Sequence, residues 1–313
     1  MHDKTIQLDK LTKDFGKLRA VDSLSIDVPT GSIFGFLGPN GAGKTTTLHM
    51  LLGLLEPTSG GGEVMGYDLR TDGDQIRACC GALLEHHGLY EALSAADNLE
   101  FYGRAFHLPD GERQKRIQEL LEQIELWERR KEAVGSWSKG MKQKLAIARA
   151  MLHKPGLILL DEPTAGLDVV SAVEVRKSLD DLAGQQGVTV FMTTHNMTEA
   201  EKLCDQVAVI RAGKLLAEGK PDELRRRSRK PSLEIAVHGM TAEAMTLLQA
   251  HPLVASAERQ DGHLRVDLSE DKDAAPLMSL LVGAGVQVSE VHRSVASLED
   301  VYLELFKEED NVR

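Results

Sequence analysis

Cysteine is scarce in this sequence, with only Cys79, Cys80 and Cys204 among 313 residues. The three show no CxxC spacing and have no histidine cluster beside them. This pattern argues against a disulfide-stabilised scaffold and against a structural zinc site. We therefore expect three reduced thiols with structural roles, as in a cytoplasmic protein.

Long hydrophobic runs are also missing. The longest apolar stretches, such as LHMLLGLL at residues 48–55, are much shorter than the roughly 20 residues of a membrane-spanning helix. The charged start, MHDKTIQLDK, lacks the apolar segment of a signal peptide. We expect a soluble chain without a membrane span of its own.

Positive charge is sparse towards the C-terminus. Residues 231–313 contain 6 Lys and Arg against 15 Asp and Glu, a net charge of −9, which leaves −2 of the total −11 for the first 230 residues. An acidic tail argues against bulk binding to nucleic acid or anionic lipid. The basic run RRRSRK at residues 225–230 is interpreted as a linker that closes a first domain.

The first 230 residues combine strand and helix patterns. Short apolar runs such as GLILL and VTVFMTT alternate with helical stretches, which predicts an α/β fold with a mainly parallel sheet and helices on both faces. The alternating segments IQLDKLTKDF and VDSLSIDV predict an antiparallel edge sheet. LSAADNLEFYGRAF and RQKRIQELLEQIEL predict a helical insert, with a helical subdomain at about residues 88–150. VAVIRAGKLLAEG predicts a hairpin and PDELRRR a short helix.

Residues 231–313 have a different pattern. Their predicted elements follow the order β-α-β-β-α-β, with an Asp261-Gly262 turn, which is typical of a small α+β ferredoxin-like domain. A final helix, SLEDVYLELF, begins with Ser297 and Asp300 at capping-box spacing. We interpret this segment as an accessory or regulatory domain.

A phosphate-binding loop follows the first buried strand. The stretch GPNGAGKT fits G-x-x-x-x-G-K-[ST] at every fixed position, and a helical pattern follows it. Glycines allow backbone N–H groups to surround phosphate oxygens, lysine supplies a charge to the β and γ phosphates, and the threonine hydroxyl offers a ligand to Mg²⁺. The motif predicts binding of ATP with Mg²⁺ by Gly38, Pro39, Asn40, Gly41, Ala42, Gly43, Lys44, Thr45 and Thr46.

Two further strand ends carry polar residues. In LILLDEP, Asp161 is a candidate Mg²⁺ ligand, and Glu162 a candidate base for the water that attacks the γ-phosphate. His195 ends VTVFMTTHN and is a candidate γ-phosphate contact. Adjacent carboxylates are often only a solvated strand end, and a lone histidine is often structural, so both alternatives stay open at this point.

The segment SWSKGMKQKLAIARA at residues 136–150 reads by itself as a helix with an N-cap serine. However, this segment resembles the signature loop and helix of the ATP-binding cassette (ABC) ATPases when the order of motifs along the chain is considered. The other motifs are the P-loop, the helical insert, DEPTAGLD and His195. The resemblance covers about residues 5–230 and implies ABC-type P-loop ATPase activity. It depends on the order and spacing of the motifs together.

The resemblance implies roles for individual residues. Phe15 matches the aromatic residue that stacks on adenine, Glu162 the catalytic base and His195 the γ-phosphate switch residue. Asp168 matches the residue that crosses to a partner subunit. Ser138 and Gly140 match residues that bind the γ-phosphate of ATP held by a second copy. The implied assembly is therefore a homodimer that encloses two nucleotides.

Two positions depart from the family pattern. Glu85 stands where the family usually has a glutamine that reaches Mg²⁺ or the attacking water, and its carboxylate could still be a metal ligand. Lys139 stands where the common signature has glycine, and its side chain could add charge near the phosphate or point to solvent. The neighbouring His86 and His87 are assigned a surface role.

Lys139 and the tail SLEDVYLELF together resemble the ATP-binding subunits of drug-resistance-type exporters. This resemblance implies a separate transmembrane permease and a peripheral position on the inner face of the cell membrane. The alternative is a soluble ABC ATPase acting on nucleic acid or ribosomes, which is disfavoured by the single P-loop and the absence of sustained heptads. A P-loop GTPase or kinase has no support, because no NKxD segment is present. No nucleic-acid partner is expected.

Overall fold

The computed structural model describes residues 3–228, 232–260, 263–269, 273–294 and 297–312. The chain forms two compact units, Met1–Pro221 and Asp222–Arg313. This division falls earlier than the boundary at residue 230 that the sequence analysis placed after the basic run. None of the helices within the described ranges combines the length and the apolar character needed to cross a membrane.

The elements of the first unit, in chain order, are β1 (Lys4–Phe15), β2 (Leu18–Leu24), β3 (Asp27–Pro29), β4 (Ile33–Leu37), α1 (Lys44–Leu51), β5 (Ser59–Val64), β6 (Tyr67–Asp68), α2 (Gly73–Cys79), β7 (Cys80–Leu83), α3 (Ala95–Ala105), α4 (Asp110–Gln123), α5 (Lys139–Ala150), β8 (Leu157–Asp161), α6 (Val169–Gln186), β9 (Thr189–Thr194), α7 (Met197–Leu203), β10 (Gln206–Arg211) and β11 (Lys214–Gly219). Helix α8 (Pro221–Ser228) begins at the division between the units.

A six-stranded sheet with the order β11-β10-β4-β9-β8-β7 contains the most buried strands. Neighbours from β10 to β7 run parallel, and β11 pairs antiparallel with β10 as the predicted hairpin. Strands β4 and β9 are buried along their whole length, because a parallel strand covered on both faces requires apolar side chains on both sides. The segments that follow β4, β8 and β9 meet at one edge of the sheet, where ligands bind in open α/β sheets.

The predicted antiparallel edge sheet is present, with the order β2-β1-β5-β6 and with β3 paired to β1. Its alternating pattern directs Ile6, Leu8 and Leu11 into a core shared with Phe34 and Phe36 of β4. The two sheets therefore pack through one hydrophobic core.

The helical patterns after residue 88 form α3 and α4 as predicted. Ser94 caps α3 by accepting a hydrogen bond from the backbone of Asp97 at 3.1 Å, and Arg113 of α4 donates to Glu100 of α3 at 2.8 Å. Asn98 of α3 is fully buried and bonds both the N–H and the C=O of Tyr90, at 2.8 and 3.0 Å. The loop that precedes α3 is thereby fixed to this helix.

The second unit continues with β12 (Ser232–His238), α9 (Ala242–Gln249), β13 (Val254–Gln260), β14 (His263–Leu268), α10 (Ala275–Gly283), β15 (Gln287–Ser294) and α11 (Leu298–Val312). Its four strands pair antiparallel in the order β13-β14-β12-β15 around their own apolar core. This arrangement confirms the predicted ferredoxin-like fold. Ser297 and Asp300 exchange hydrogen bonds as a capping box, whereas the predicted turn at Asp261-Gly262 lies outside the described residues.

Candidate nucleotide site

The glycine-rich loop joins buried β4 to the start of α1. Gly41 and Gly43 have φ angles of 79° and 106°, which L side chains rarely adopt. A Cβ atom at Gly43 would stand 2.4 Å from the carbonyl oxygen of Ala20, and one at Gly38 would stand 2.6 Å from that of Ile210. Glycine is therefore required both by conformation and by the close approach of neighbouring backbone, and the loop presents N–H groups at the helix start.

Lys44 brings a buried positive charge to this loop. Its side chain is only 6% exposed, and Nζ lies 3.4 Å from Oε1 of Glu162. The same ammonium group donates to the carbonyl oxygens of Gly38 and Pro39, at 2.8 and 3.2 Å. The positive charge is thus held inside the loop, where it can attract phosphate.

Thr45 and Asp161 bring oxygen atoms together beside the lysine. The Thr45 hydroxyl donates to Oδ2 of Asp161 at 2.8 Å, and the Thr193 hydroxyl donates to Oδ1. A hydroxyl and a single carboxylate suit Mg²⁺, which commonly takes one or two protein carboxylates and completes its shell with phosphate oxygens and water. Glu85 is exposed in the segment that follows β7.

Glu162 and His195 form a close pair at the ends of β8 and β9. His195 Nδ1 lies 2.9 Å from Glu162 Oε2. Glu162 has a φ of 48°, an uncommon conformation for a non-glycine residue, and its backbone N–H bonds to the carbonyl and hydroxyl oxygens of Thr193, at 3.2 and 3.0 Å. The geometry brings together a carboxylate and an imidazole that could orient a water molecule and accept its proton.

One open cavity of about 820 Å³ gathers most of these groups. Phe15 lies at it and is 49% exposed, which leaves its ring face available for stacking. Among the predicted site residues, the lining contains Phe15, Pro39, Asn40, Gly41, Gly43, Lys44, Thr45, Thr46, Glu85, Asp161 and Glu162. Gly38 and Ala42 belong to the same loop. His195 is not part of the lining but contacts Glu162, which is.

Ser138, Gly140 and Asp168 lie outside this cavity lining. Ser138 caps α5 through a hydrogen bond from the backbone of Met141 at 3.2 Å, and Asp168 caps α6 by accepting from Ser171 at 3.0 Å. Hydrogen bonds from Ser171 to the Asp168 carboxylate lower its pKa. A Cβ atom at Gly140 would approach the hydroxyl of Ser171 within 2.3 Å, so the start of α5 packs closely on the start of α6.

Lys139 takes a third orientation that the sequence analysis did not consider. Its Nζ donates to the carbonyl oxygen of Ala165 at 2.8 Å, in the loop that follows Glu162, and the residue lines the cavity of its own chain. The lysine therefore connects the start of α5 to that loop.

The assignment of His87 to the surface was wrong. His87 lines the cavity and is partly buried. Burial lowers the pKa of its imidazole, and the positive charges of Lys139, Lys142, Arg149 and His86 lower this pKa further. Gln143, buried on α5, also lines the cavity and donates to the carbonyl oxygen of Pro163. Gln143 lies within the signature-like segment and His87 lies two residues after Glu85, but the sequence analysis gave neither a role in the site, and the tertiary contacts reveal their positions.

Comparison with known proteins identifies two family models. The model described as ABC transporter matches residues 21–165, and the model for the C-terminal domain of DrrA1-3-like ATP-binding proteins matches residues 219–306.

Curated relatives match along nearly the full length. The chain is 40% identical to the bacitracin transport ATP-binding protein BcrA of Bacillus licheniformis, covering 96% of each chain. It is 33% identical to the daunorubicin resistance ATP-binding protein DrrA3 of Streptomyces coeruleorubidus, covering 100% of this chain and 99% of that protein.

Solved structures resemble about 70% of the chain. CbiO1 from Clostridium perfringens, part of the ABC transporter complex cbiONQ, aligns with a TM-score of 0.67 at 26% identity over 71% of this chain and 91% of its own. The ATP-binding cassette MJ0796, solved as a dimer bound to ADP and Pi, aligns with a TM-score of 0.62 at 27% identity over 69% of this chain and 98% of its own.

Proposed function

This chain belongs to the ABC transporter ATP-binding family, and from that membership we propose that Glu162 activates the water that attacks the γ-phosphate of ATP. The chain is the ATP-binding and ATP-hydrolysing subunit of an ABC transporter of the drug or antibiotic exporter type. The observation that carries the residue assignment is the 2.9 Å contact between Glu162 and His195 at the strand ends beside Lys44. A soluble ABC ATPase acting on nucleic acid is not favoured.

The proposed reaction uses each of these groups. The Glu162 carboxylate accepts a proton from water, the water oxygen bonds to the γ-phosphorus, and the bond from this phosphorus to the bridging oxygen of ADP breaks. His195 orients the carboxylate and contacts the γ-phosphate, while Lys44 neutralises charge on the β and γ phosphates. Thr45 and Asp161 would hold Mg²⁺, which when bound neutralises phosphate charge, and Glu85, which lines the same cavity, is a further candidate ligand.

We further infer that the start of α5 serves a second molecule. Ser138 is exposed and lies outside the lining of its own chain's cavity, and the N-terminus of a 12-residue helix favours an anion. Ser138 and Gly140 would therefore contact ATP held by another copy, with Asp168 crossing at the same interface. The dimeric MJ0796 structure supports the dimer itself.

A separate permease would receive the resulting motion. Tyr90 and Phe101 are each 46% exposed, and their ring centroids lie 4.8 Å apart at the start of the helical insert. We propose this aromatic surface as the docking site for a cytoplasmic segment of the permease, which would hold the chain at the inner face of the membrane. The relatives are named for different antibiotics, bacitracin and daunorubicin, so the proposal covers export of an antibiotic-like compound and no single cargo.

Glu162→Gln tests the assignment of the base. The amide keeps the size of the side chain but cannot accept the proton, so the hydrolysis rate is expected to fall by about 100-fold or more with ATP binding retained. The measurement is phosphate release and labelled-ATP binding on the same preparation. Hydrolysis at the wild-type rate would remove Glu162 from its role.

A further inference from the structure

Glu199 is a buried carboxylate that the proposed chemistry does not use. It lies in α7 and is 2% exposed. Its Oε2 accepts hydrogen bonds from the hydroxyl groups of Thr164, at 2.6 Å, and Thr194, at 3.4 Å. Its Oε1 has no hydrogen-bond partner among the residues that the structure describes. Burying a carboxylate with one oxygen unbonded is costly, so packing alone does not account for this side chain.

The two threonines flank the reacting pair. Thr164 follows Glu162 by two residues, and Thr194 directly precedes His195. One carboxylate oxygen of Glu199 therefore joins the loop that carries the base to the strand end that carries the histidine. The 2.9 Å contact between Glu162 and His195 spans the same two segments.

The backbone of Glu162 requires such support. Its φ of 48° is strained for a non-glycine residue and persists only where the surroundings hold it. Thr193 bonds the N–H of Glu162, and Gln143 bonds the carbonyl oxygen of Pro163. The bond from Thr164 to Glu199 fixes the next position of the same loop.

We propose that Glu199 is a positioning residue for ATP hydrolysis, which fixes the Glu162 carboxylate relative to His195 through Thr164 and Thr194. The inference rests on the proposed role of Glu162 as the base. Glu199 and Thr164 are absent from the cavity lining, so they act on the geometry of the base and not on nucleotide binding. Weakening this link should therefore lower kcat and leave ATP affinity unchanged.

The test compares two substitutions of Thr164 in the 313-residue chain. Thr164→Val removes the donating hydroxyl at nearly constant shape, whereas Thr164→Ser keeps it. Thr164→Val is expected to lower kcat about 10- to 100-fold, because a misplacement of about 1 Å has effects of this order. Its Kd for ATP is expected to stay within about twofold of the wild-type value, because Thr164 does not line the nucleotide cavity. A twofold change in Kd is small against the roughly 1.4 kcal/mol that corresponds to a tenfold change.

Conservative variants supply the rescue. Thr164→Ser keeps the donating hydroxyl and Glu199→Gln keeps an accepting oxygen, so the hydrogen bond between the two residues can still form. Each variant is therefore expected to keep kcat within about threefold of wild type, a small change where a tenfold change corresponds to roughly 1.4 kcal/mol. Glu199→Leu removes the acceptor of the same hydrogen bond and is the substitute test if Thr164→Val does not fold. Thermal unfolding of each variant is recorded alongside.

A purely structural role would give a different result. Thr164→Val or Glu199→Leu with a lowered unfolding midpoint and an unchanged kcat would overturn the inference. Glu162→Gln, assayed in parallel, separates the two proposals. If Glu162→Gln is inactive while Thr164→Val and Glu199→Leu are fully active, only the role of Glu199 fails; if Glu162→Gln is active, the assignment of the base fails.

Discussion

Replacing Lys44 with alanine removes the buried ammonium group of the nucleotide cavity. Two opposite unit charges about 4 Å apart interact by about 4 kcal/mol at an effective dielectric constant of about 20. The variant also avoids the cost of desolvating the ammonium group, which offsets part of this energy. We therefore expect ATP affinity to fall by about 3–4 kcal/mol, which corresponds to about 100- to 1000-fold in Kd.

The assay is isothermal titration calorimetry with ATP and Mg²⁺ at fixed ionic strength. Lys154→Ala is the matched control, because Lys154 pairs with Glu112 at 3.0 Å with its side chain 59% exposed and does not line the cavity. The control is expected to bind ATP as the wild type does, since an exposed ion pair contributes little. A Lys44→Ala variant that bound ATP within about threefold of wild type would refute the role of this lysine.

Three further predictions concern the loops and the second unit. Lys139→Gly removes the bond to Ala165 and is expected to lower the hydrolysis rate by about two- to fivefold, as for an exposed hydrogen bond of roughly 0.5–1 kcal/mol; an unchanged rate and affinity would leave Lys139 without a catalytic role. Gly43→Ala, which strains φ and meets a backbone carbonyl, is expected to lower the unfolding free energy by about 2 kcal/mol or more. In denaturant titrations, Gly41→Ala is expected to lower the unfolding free energy by less than Gly43→Ala, because the added methyl group at residue 41 meets no neighbouring atom. Equal losses for the two variants would contradict a steric clash at Gly43. Deletion of residues 231–313 is expected to preserve ATP binding in the first unit, and loss of binding by a folded fragment would contradict an accessory role for the second.

Much of the fold is encoded locally in the sequence. The apolar runs that became β8 and β9 are buried on both faces, so each was recognisable without its neighbours. Strand β7 cannot be predicted from the local pattern, because Cys80–Leu83 has only four residues and one of them is glycine. It is a strand because it pairs with β8, a contact that no local pattern contains.

The sequence likewise predicts only some of the residues of the candidate site. Lys44, Thr45 and Glu162 belong to motifs with fixed spacing, so the sequence alone predicts that they meet, and the structure places all three at one cavity. His87 lines the cavity because the tertiary fold brings the segment after β7 to it, a contact that the local sequence pattern does not contain. The role of Glu199 cannot be predicted from the local pattern either, because its hydrogen-bond partners Thr164 and Thr194 lie in the loop after β8 and at the end of β9.

The most direct test of the account asks whether ATP is enclosed between two copies of this chain. The Glu162→Gln variant is mixed with Mg²⁺ and ATP, and its mass and bound nucleotide are measured by light scattering and labelled ATP. We predict a dimer that holds two ATP molecules and that returns to monomer when Ser138→Arg is added, while each monomer still binds ATP. A Glu162→Gln protein that binds ATP but stays monomeric, or a dimer that Ser138→Arg leaves intact, would contradict the account.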